Sequence, residues 1–267
     1  MIIENDNLDL KQIETSGQCF RWNEENDYIK VVAFDREIRM KQLGMNQIDM
    51  DCDEKEYEDI WKKYLDIDTD YGKIIDMVSD EDLFLKNASN FGKGIRILNQ
   101  DEWEVLISFI ISQRKNIPAI KSCIEKICKM NGRKINGDTY AFPTADELGT
   151  FSVEDLSKCS LGYRAEYIYR AAAAFRDGAV TIEKLKSLSD DELFDALCAL
   201  YGVGKKVANC TMLFGFHRLD SFPIDVWMNK IMDKYYKDGF ETRKYTPYAG
   251  VMQQYMFAYE RFLSSNN

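Results

Sequence analysis

The sequence predicts an α+β protein, with an antiparallel β-sheet domain over residues 1–80 packed on a larger all-helical domain over residues 81–267. Two observations predict this division. Extended runs of β-forming residues occur in the first region, and apolar residues with helical spacing follow in the second. The chain has 267 residues, of which 45% are hydrophobic. This is enough apolar surface to fill the cores of both domains.

In the first domain, two β-rich segments run from Tyr28 to Phe34 and from Glu37 to Leu43. Asp35 and Arg36 between them are typical of a hairpin turn, so the two segments are predicted to pair antiparallel. Residues 54–64 place Tyr57, Ile60, Trp61 and Tyr64 at helical spacing, which predicts an amphipathic helix.

In the second domain, helices are predicted over residues 103–111 and 117–127, with a break near Pro118. Three capping boxes mark further helix starts, and three glycines mark helix ends. Roughly eight or nine short helices follow from this pattern. The boxes are Thr144 with Glu147, Ser152 with Asp155, and Ser189 with Glu192; the glycines are Gly132, Gly162 and Gly178.

The charge of the chain is uneven. It has 35 Lys and Arg against 45 Asp and Glu, a formal net charge of −10, and residues 1–80 alone have 10 against 21. An acidic protein does not bind nucleic acid loosely through net positive charge. Contact with a polyanion is therefore expected only through local basic faces in the second domain.

The cysteine pattern and the N-terminal sequence together indicate the cell compartment. The seven cysteines form no C-x-x-C pair, which argues against structural zinc, an iron–sulfur cluster and a secreted disulfide framework. Reduced, mostly buried thiols are expected. The chain shows no signal peptide and no apolar run near the ~20 residues that span a bilayer. It is predicted to be cytoplasmic, or nucleoid-associated if prokaryotic, with no membrane contact.

A glycine-rich turn between two predicted helices is the first candidate for chemistry. It reads Leu200-Tyr-Gly-Val-Gly-Lys-Lys-Val-Ala-Asn-Cys210. Gly202 and Gly204 leave backbone amides uncovered at the start of a helix, where the helix dipole also favours anions. The turn is predicted to bind a phosphate group, and a plain connection between two helices is the alternative.

A lysine and an aspartate complete this candidate site. Lys206 lies in the first turn of the helix, and Asp225 precedes the next apolar helical stretch. A lysine is a nucleophile only as the neutral amine, and a helix N-terminus next to Lys205 destabilises the ammonium form. Asp225 is suited to accept a proton or to stabilise developing positive charge. A solvated lysine pair and a helix-capping aspartate remain the alternative.

Several segments together resemble the bifunctional 8-oxoguanine DNA glycosylase/AP lyase branch of the helix-hairpin-helix DNA glycosylases. The hairpin with Asp225 resembles the superfamily, and Ser16-Gly-Gln-Cys-Phe-Arg-Trp22 resembles the N-terminal signature of this branch. Leu161-Gly-Tyr-Arg-Ala165 resembles its DNA-wedging turn and Pro247-Tyr-Ala-Gly-Val-Met-Gln253 its C-terminal helix. The resemblance covers nearly the whole chain and implies a sheet domain similar to the TATA-binding protein.

The resemblance implies the catalytic roles. Lys206 would attack the sugar of a flipped-out nucleoside and form a Schiff base, after which β-elimination would nick the strand. Asp225 would stabilise the positively charged transition state. The amides around Gly202, Gly204 and Val207 would hold the DNA backbone.

The resemblance also implies the contacts to the base and to the duplex. Phe257 and Cys210 would enclose the extruded purine, and Gln253 would contact its Watson–Crick edge. Gly17 would offer its carbonyl to the N–H that distinguishes 8-oxoguanine from guanine. Base flipping also requires a residue that fills the vacated stack. Tyr163 and Arg164 would supply this wedge and contact the orphan base.

Four departures from the family pattern bear on DNA contact. Arg114 and Lys115 replace two amides near the orphan base, and an arginine is missing at Ala119. Discrimination for cytosine opposite the lesion is therefore predicted to be weak. Tyr201 replaces a proline, and Trp227 replaces a phosphate-binding histidine.

No organic cofactor is implied. By fold analogy, the backbone carbonyls of Cys198, Leu200 and Val203 would bind K⁺ or Na⁺, with no metal site formed by side chains. The predicted partner is damaged double-stranded DNA, and the protein is predicted to act as a monomer. Two other functions remain open: a monofunctional alkylpurine DNA glycosylase, which would need no lysine nucleophile, and a non-catalytic helix-hairpin-helix DNA-binding module.

Overall fold

The computed structural model describes residues 1–265 and consists of an antiparallel sheet packed against a group of helices. The sheet has five strands in the order β1-β5-β4-β3-β2, with every neighbouring pair antiparallel. The α+β fold class is therefore confirmed. The strands are β1 (Ile2–Glu4), β2 (Trp22–Glu25), β3 (Tyr28–Ala33), β4 (Arg36–Gln42) and β5 (Gln47–Met50).

The predicted hairpin is present as β3 and β4, with Val31 opposite Ile38. The turn residue Phe34 has φ +47, a left-handed conformation that allows the tight reversal. One face of the sheet is buried against helical segments. These are α1 (Leu10–Thr15) and a continuous segment formed by α2 (Glu54–Glu56), a π-helical turn (Tyr57–Trp61) and α3 (Lys62–Tyr64).

Helices make up most of the remaining chain, together with a small hairpin and one 3₁₀ turn (Thr242–Tyr245). From Leu83 to Ser265 the structure has eleven α-helices, more than the eight or nine predicted, because α8, α9 and α11 are only four or five residues long. The helices are α4 (Tyr71–Asp76), α5 (Leu83–Phe91), α6 (Glu102–Ser112), α7 (Ile117–Asn131), α8 (Ala145–Leu148), α9 (Val153–Ser157), α10 (Arg164–Arg176), α11 (Ile182–Lys186), α12 (Asp190–Cys198), α13 (Lys205–Phe214), α14 (Val226–Tyr235) and α15 (Ala249–Ser265); the hairpin strands are β6 (Lys134–Asn136) and β7 (Thr139–Tyr140).

The three capping boxes are confirmed, at the first residues of α8, α9 and α12. Gly132 is the C-cap of α7, and Gly178 follows α10 with φ +71. The prediction for Gly162 was wrong. Helix α9 already ends at Ser157, and Gly162 (φ +58) shapes the turn that leads into α10.

Two hydrophobic cores meet at the joint between the sheet and the helices. Tyr71, Ile74 and Val78 belong to the helical core, whereas Leu98 belongs to the sheet core. The chain therefore crosses between the two cores near residue 80 more than once, and the predicted boundary after residue 80 stays a prediction.

The cysteines within residues 1–265 are all free, and five of the seven are buried, as expected for reduced thiols. Within the same residues, no helix is both long and apolar enough to cross a bilayer.

Candidate active site

The glycine turn joins α12 to α13 as a compact hairpin. The amide of Val203 donates to the carbonyl of Leu200 at 3.0 Å. Gly202 has φ +86, and a Cβ there would approach the Tyr167 ring to 2.2 Å. Both the backbone conformation and the close contact require glycine. Gly204 is the N-cap of α13, so the first amides of that helix, including Val207, face outward without intrahelical partners.

Lys206 lies in the first turn of α13 and is half-buried, whereas Lys205 is exposed. The Lys206 Nζ lies 4.8 Å from the centroid of the Phe109 ring on α6. It also lies near the thiol of Cys210, one helical turn further on, and partly opposes the rise that burial causes in the pKa of that thiol. No salt bridge joins Lys206 to a carboxylate among residues 1–265. The amine is therefore oriented inward by the fold and is not bound by a counter-ion.

Asp225 is the N-cap of α14. Its Oδ1 accepts hydrogen bonds from the amides of Trp227 and Met228, both at 2.9 Å. These two bonds satisfy one carboxylate oxygen and fix the rotamer. The carboxylate makes no other hydrogen bond to residues 1–265, so Oδ2 stays available. A fixed negative charge with one available oxygen can stabilise a cation that develops next to it.

A narrow recess with a cavity volume of about 40 Å³ brings the predicted residues together. Lys206 and Asp225 both line it. So do all four residues that were assigned to the base, which come from the loop after α1 and from helices α13 and α15. These are Gly17, Cys210, Gln253 and Phe257.

Gly17 enters the recess from the loop between α1 and β2, with φ +80. A Cβ at this position would be 3.6 Å from the Phe257 ring, so the backbone of Gly17 lies directly against that ring. The loop is held by the buried side chain of Gln18, which donates to the carbonyl of Arg96 at 2.7 Å and accepts from the amide of Leu98 at 2.9 Å. The Gly17 backbone is thus held in place next to the recess.

Burial raises the pKa of the Cys210 thiol, and the neighbouring Lys206 only partly opposes this effect. The side chain therefore stays a neutral thiol at physiological pH. A neutral, polarisable sulfur can pack against the face of an aromatic base. As a thiol, it does not compete with Lys206 as the nucleophile.

Gln113 joins the hairpin to two neighbouring segments, the loop after α6 and the turn before α10. Its Nε2 donates to the carbonyl of Gly202 at 3.1 Å. Its own carbonyl accepts from the guanidinium of Arg164, with Nε at 2.8 Å. The loop after α6, the turn before α10 and the hairpin are therefore one connected surface.

Tyr163 and Arg164 lie at the start of α10 in different environments. Tyr163 is 49% exposed, whereas Arg164 is only 6% exposed. Arg164 donates to the carbonyls of Gln113 and Leu161 and lies 4.4 Å from the Tyr163 ring. Tyr163 is accessible in the way a wedge requires. Arg164 supports that ring, and its contact with an orphan base stays a prediction.

Arg114 lies in the loop after α6, exposed and with φ +53, an uncommon conformation for a residue with a side chain. Its neighbour Lys115 donates to the carbonyl of Ser160 at 3.0 Å, and Ser160 has φ +63. Two strained turns therefore lie side by side on the surface joined through Gln113, and strain of this kind is often found at functional sites.

The predicted cation site stays a prediction. Of its three carbonyls, that of Leu200 already accepts from Val203, which leaves one lone pair for another partner. Within residues 1–265, no group of three or more His, Cys, Asp or Glu side chains is arranged to bind a metal ion.

Several residues of the recess were not identified from the sequence. Phe109 lies within the predicted helix over residues 103–111, but no role was assigned to it, and its ring lies 4.8 Å from the Lys206 Nζ. Gln254 follows a residue that was selected, and its position beside Gln253 was not anticipated. The only available signal was a polar side chain in an otherwise apolar helical segment. The other additional lining residues are Ser16, Phe214 and Pro223.

A much larger cavity, of about 1000 Å³, lies elsewhere, where the sheet domain meets α6. None of the predicted catalytic or base-contacting residues line it. Volume alone therefore does not locate the chemistry of this protein, and the small recess has the convergent polar groups expected of an active site.

Two family models match the chain in sequence. Residues 1–106 match the 8-oxoguanine DNA glycosylase N-terminal domain, and residues 107–248 match the HhH-GPD superfamily of base excision DNA repair proteins. Together they cover most of the chain, and the second alone covers more than half.

Individual relatives agree with these matches. The chain is 30% identical over 213 residues to a probable N-glycosylase/DNA lyase of Methanothermobacter thermautotrophicus, covering 68% of each protein. The structure of MBOgg1 in complex with a low-affinity DNA ligand is 38% identical, with a TM-score of 0.93 over 98% of this chain and 96% of that one.

The 8-oxoguanine glycosylase/lyase of Clostridium acetobutylicum is also similar. It was solved with double-stranded DNA that contains cytosine opposite 8-oxoguanine. It is 35% identical, with a TM-score of 0.91 over 99% of this chain and 98% of that one. The chain belongs to the 8-oxoguanine DNA glycosylase family of the helix-hairpin-helix base excision repair superfamily.

Proposed function

We propose that the protein is a bifunctional DNA glycosylase/AP lyase that excises 8-oxoguanine from duplex DNA. The observation that supports this most is the single recess lined by Lys206, Asp225 and the four base-contacting residues. Excision of a flipped base requires a nucleophilic amine, a fixed carboxylate and an adjoining recess that receives the base. Membership of the family makes 8-oxoguanine the substrate to test first.

In the first step, the neutral amine of Lys206 attacks C1′ of the flipped nucleoside. The bond from C1′ to N9 of the base breaks, and the base leaves with the electron pair and takes up a proton. Positive charge develops on the sugar, and the Asp225 carboxylate stabilises it. Preorganised groups of this kind contribute about 3–4 kcal/mol to transition-state stabilisation.

In the second step, the sugar opens to an iminium (Schiff base) between C1′ and the Lys206 nitrogen, and O4′ takes up a proton. Loss of a proton from C2′ then breaks the bond between C3′ and its phosphate oxygen, which nicks the strand on the 3′ side. Water hydrolyses the remaining imine and regenerates the lysine. Lys206 is the nucleophile of the first step and water that of the final hydrolysis, while the C2′–C3′ bond becomes a double bond in the elimination.

The base is recognised by groups that complement an oxidised purine. Phe257 and the neutral thiol of Cys210 enclose it, Gln253 contacts its Watson–Crick edge, and the Gly17 carbonyl accepts the N7–H of 8-oxoguanine. Guanine has an acceptor at N7 and would leave that carbonyl unpaired, at a cost of about 1–3 kcal/mol.

The duplex is held by the surface around the hairpin. Tyr163 fills the vacated stack, Arg114 and Arg164 lie beside the orphan base, and the amides of Gly202, Gly204 and Val207 bind a backbone phosphate. A monovalent cation on the hairpin carbonyls would add positive charge there. We expect the protein to act as a monomer in the cytoplasm.

The lysine chemistry is tested by borohydride trapping. The protein is incubated with duplex that contains 8-oxoguanine, borohydride is added, and covalent protein–DNA species are separated by electrophoresis. A Schiff base is reduced to a stable adduct, so we expect an adduct with the wild type and none with Lys206→Gln. Lys205→Gln is the matched control, because Lys205 is the exposed neighbour and should still form the adduct.

The other two functions predict different results in the same experiment. Base release without an adduct would indicate a glycosylase that uses activated water, and duplexes with alkylated purines would then be tested. Binding without base release would indicate a non-catalytic module. Either result would contradict the proposed chemistry.

A further inference from the structure

Two consecutive glutamines on α15, Gln253 and Gln254, line the recess, and each is 3% exposed. The Nε2 of Gln254 donates to the Oε1 of Gln253 at 3.1 Å. The Oε1 of Gln254 is buried and has no hydrogen-bond partner. Only Gln253 was assigned to the base.

An unpaired acceptor in this position requires an explanation. Buried side-chain oxygens nearly always have a partner, and leaving one unpaired costs about 1–3 kcal/mol. Gln254 is a wall residue of the recess, next to the side chain that is proposed to contact the base. The missing partner is therefore most simply a hydrogen-bond donor of the bound base.

The hydrogen bond between the two amides also determines what Gln253 offers. The Oε1 of Gln253 accepts from Gln254, so Gln253 keeps its Nε2 donor and the second lone pair of its oxygen for a ligand. The pair thus presents one donor, from Gln253, and one unpaired acceptor, from Gln254.

We propose that Gln254 is a second specificity residue, and that the two amides together select 6-oxopurines over 6-aminopurines. A 6-oxopurine presents the O6 acceptor next to the N1–H donor, which satisfies both amides. A 6-aminopurine presents an acceptor at N1, so the Oε1 of Gln254 would stay buried without a donor. This inference rests on the proposed function and extends it to the choice between guanine-derived and adenine-derived lesions.

The test measures binding without excision. Duplexes contain 8-oxoguanine or 8-oxoadenine at one position, each with a 2′-fluorine that destabilises the cationic transition state and prevents cleavage. Affinities of the full-length protein are measured by competition fluorescence anisotropy. In Gln254→Met, a side chain of similar length that lacks both polar groups, the preference for 8-oxoguanine should fall by about 10- to 100-fold, as expected from ~1–3 kcal/mol for one unpaired contact.

The matched control is Gln12→Met. Gln12 also has a buried, unpaired Oε1, but it lies on α1 outside the recess. Each substitution removes a buried oxygen that has no partner, and Gln254→Met also removes one donor to Gln253, so we expect both variants to fold, and thermal unfolding checks this. Only Gln254→Met should change the base preference.

Two results would overturn the inference, and they differ. If the wild type binds 8-oxoguanine duplex no more tightly than undamaged duplex, the proposed function fails and the inference fails with it. If the wild type prefers 8-oxoguanine and folded Gln254→Met keeps the same ratio to 8-oxoadenine, only the inference is overturned, and Gln254 has a structural role.

Discussion

At the scale of single residues, the hairpin shows how a local backbone requirement supports the active site. Gly202 combines φ +86 with direct contact between its Cα and the Tyr167 ring, and its carbonyl accepts from Gln113. A side chain at this position would push the hairpin away from α10 and from the loop after α6. The first turn of α13, and with it Lys206, would move as well.

Gly202→Ala is therefore expected to lower the free energy of unfolding by about 2 kcal/mol or more, because it adds both backbone strain and a steric clash. The measurement is urea denaturation followed by fluorescence. Gly204→Ala is the control, since Gly204 has φ −93 and a Cβ there would contact nothing within 4 Å. Equal losses in the two variants would contradict this account of Gly202.

At the scale of elements, the first turn of α6 contains a carboxyl group in an unfavourable environment. Burial raises the pKa of Glu104 to about 7, and the charges of Asp101 and Glu125 add to this effect, whereas Arg21 lowers it. Helix α6 also supplies Phe109 to the active site. Protonation at one end of the helix is thus linked to the stability of the element that supports the lysine.

The sign of this linkage follows from the raised pKa. Between about pH 4.5 and pH 7, the unfolded chain loses the Glu104 proton while the folded protein keeps it, so the free energy of unfolding falls as the pH rises. The full penalty of up to about 3 kcal/mol is present above pH 7. The Glu104→Gln variant lacks this penalty. Its free energy of unfolding, compared with that of the wild type, should therefore increase as the pH rises from about 4.5 to 7.

Denaturation at a series of pH values checks this prediction. The exposed Glu154, in the first turn of α9, gives the control variant Glu154→Gln, which should follow the wild type. Parallel curves for the wild type and Glu104→Gln from pH 4.5 to pH 7 would contradict the assignment.

The elements differ in how far the sequence predicts them, and the reason is the range of the interactions. The capping boxes at Thr144, Ser152 and Ser189 involve residues three positions apart, and all three were predicted. Strand β1 was missed because, among residues 1–265, it pairs with β5 alone, more than forty residues away, with Ile3 opposite Ile48. No local pattern specifies such a pairing.

The same distinction applies to the active site. The convergence of Lys206, Asp225 and Gly17 was predicted through resemblance, because each lies in a recognisable segment. The contact of Phe109 with Lys206 and the burial of Arg164 depend on how α6, α10 and the hairpin pack together. Those contacts form only in the folded protein and leave no spacing signal in the chain.

At the scale of the whole molecule, Arg96 joins the N-terminal segment to the start of the helical domain. It is 2% exposed and donates to the carbonyls of Asp6, Asn7, Asp66 and Thr69 and to the side chain of Asn5. Burial lowers the pKa of Arg96, although the group stays charged. The Arg96 carbonyl and the Leu98 amide bind the side chain of Gln18, which extends the same joint to the Gly17 loop.

Arg96→Met should therefore destabilise the protein by about 3–5 kcal/mol, since it leaves several buried acceptors without a donor at once. Calorimetry should show a lower unfolding temperature and, if the joint is released first, two transitions. The exposed Arg39 on β4 gives the control Arg39→Met, which should change stability by no more than about 0.5 kcal/mol. A similar small effect at Arg96 would rule out this role.

The linkage of three turns through Gln113 has a consequence for the energetics of lesion search. The turn before α10, the hairpin and the loop after α6 share hydrogen bonds, so this protein surface already has its shape before DNA binds. The free energy needed to bend DNA onto it is therefore spent on deforming the double helix. Pyrimidine–purine steps unstack more readily than others. Lesions flanked by such steps should therefore be engaged faster than identical lesions within stiff adenine tracts.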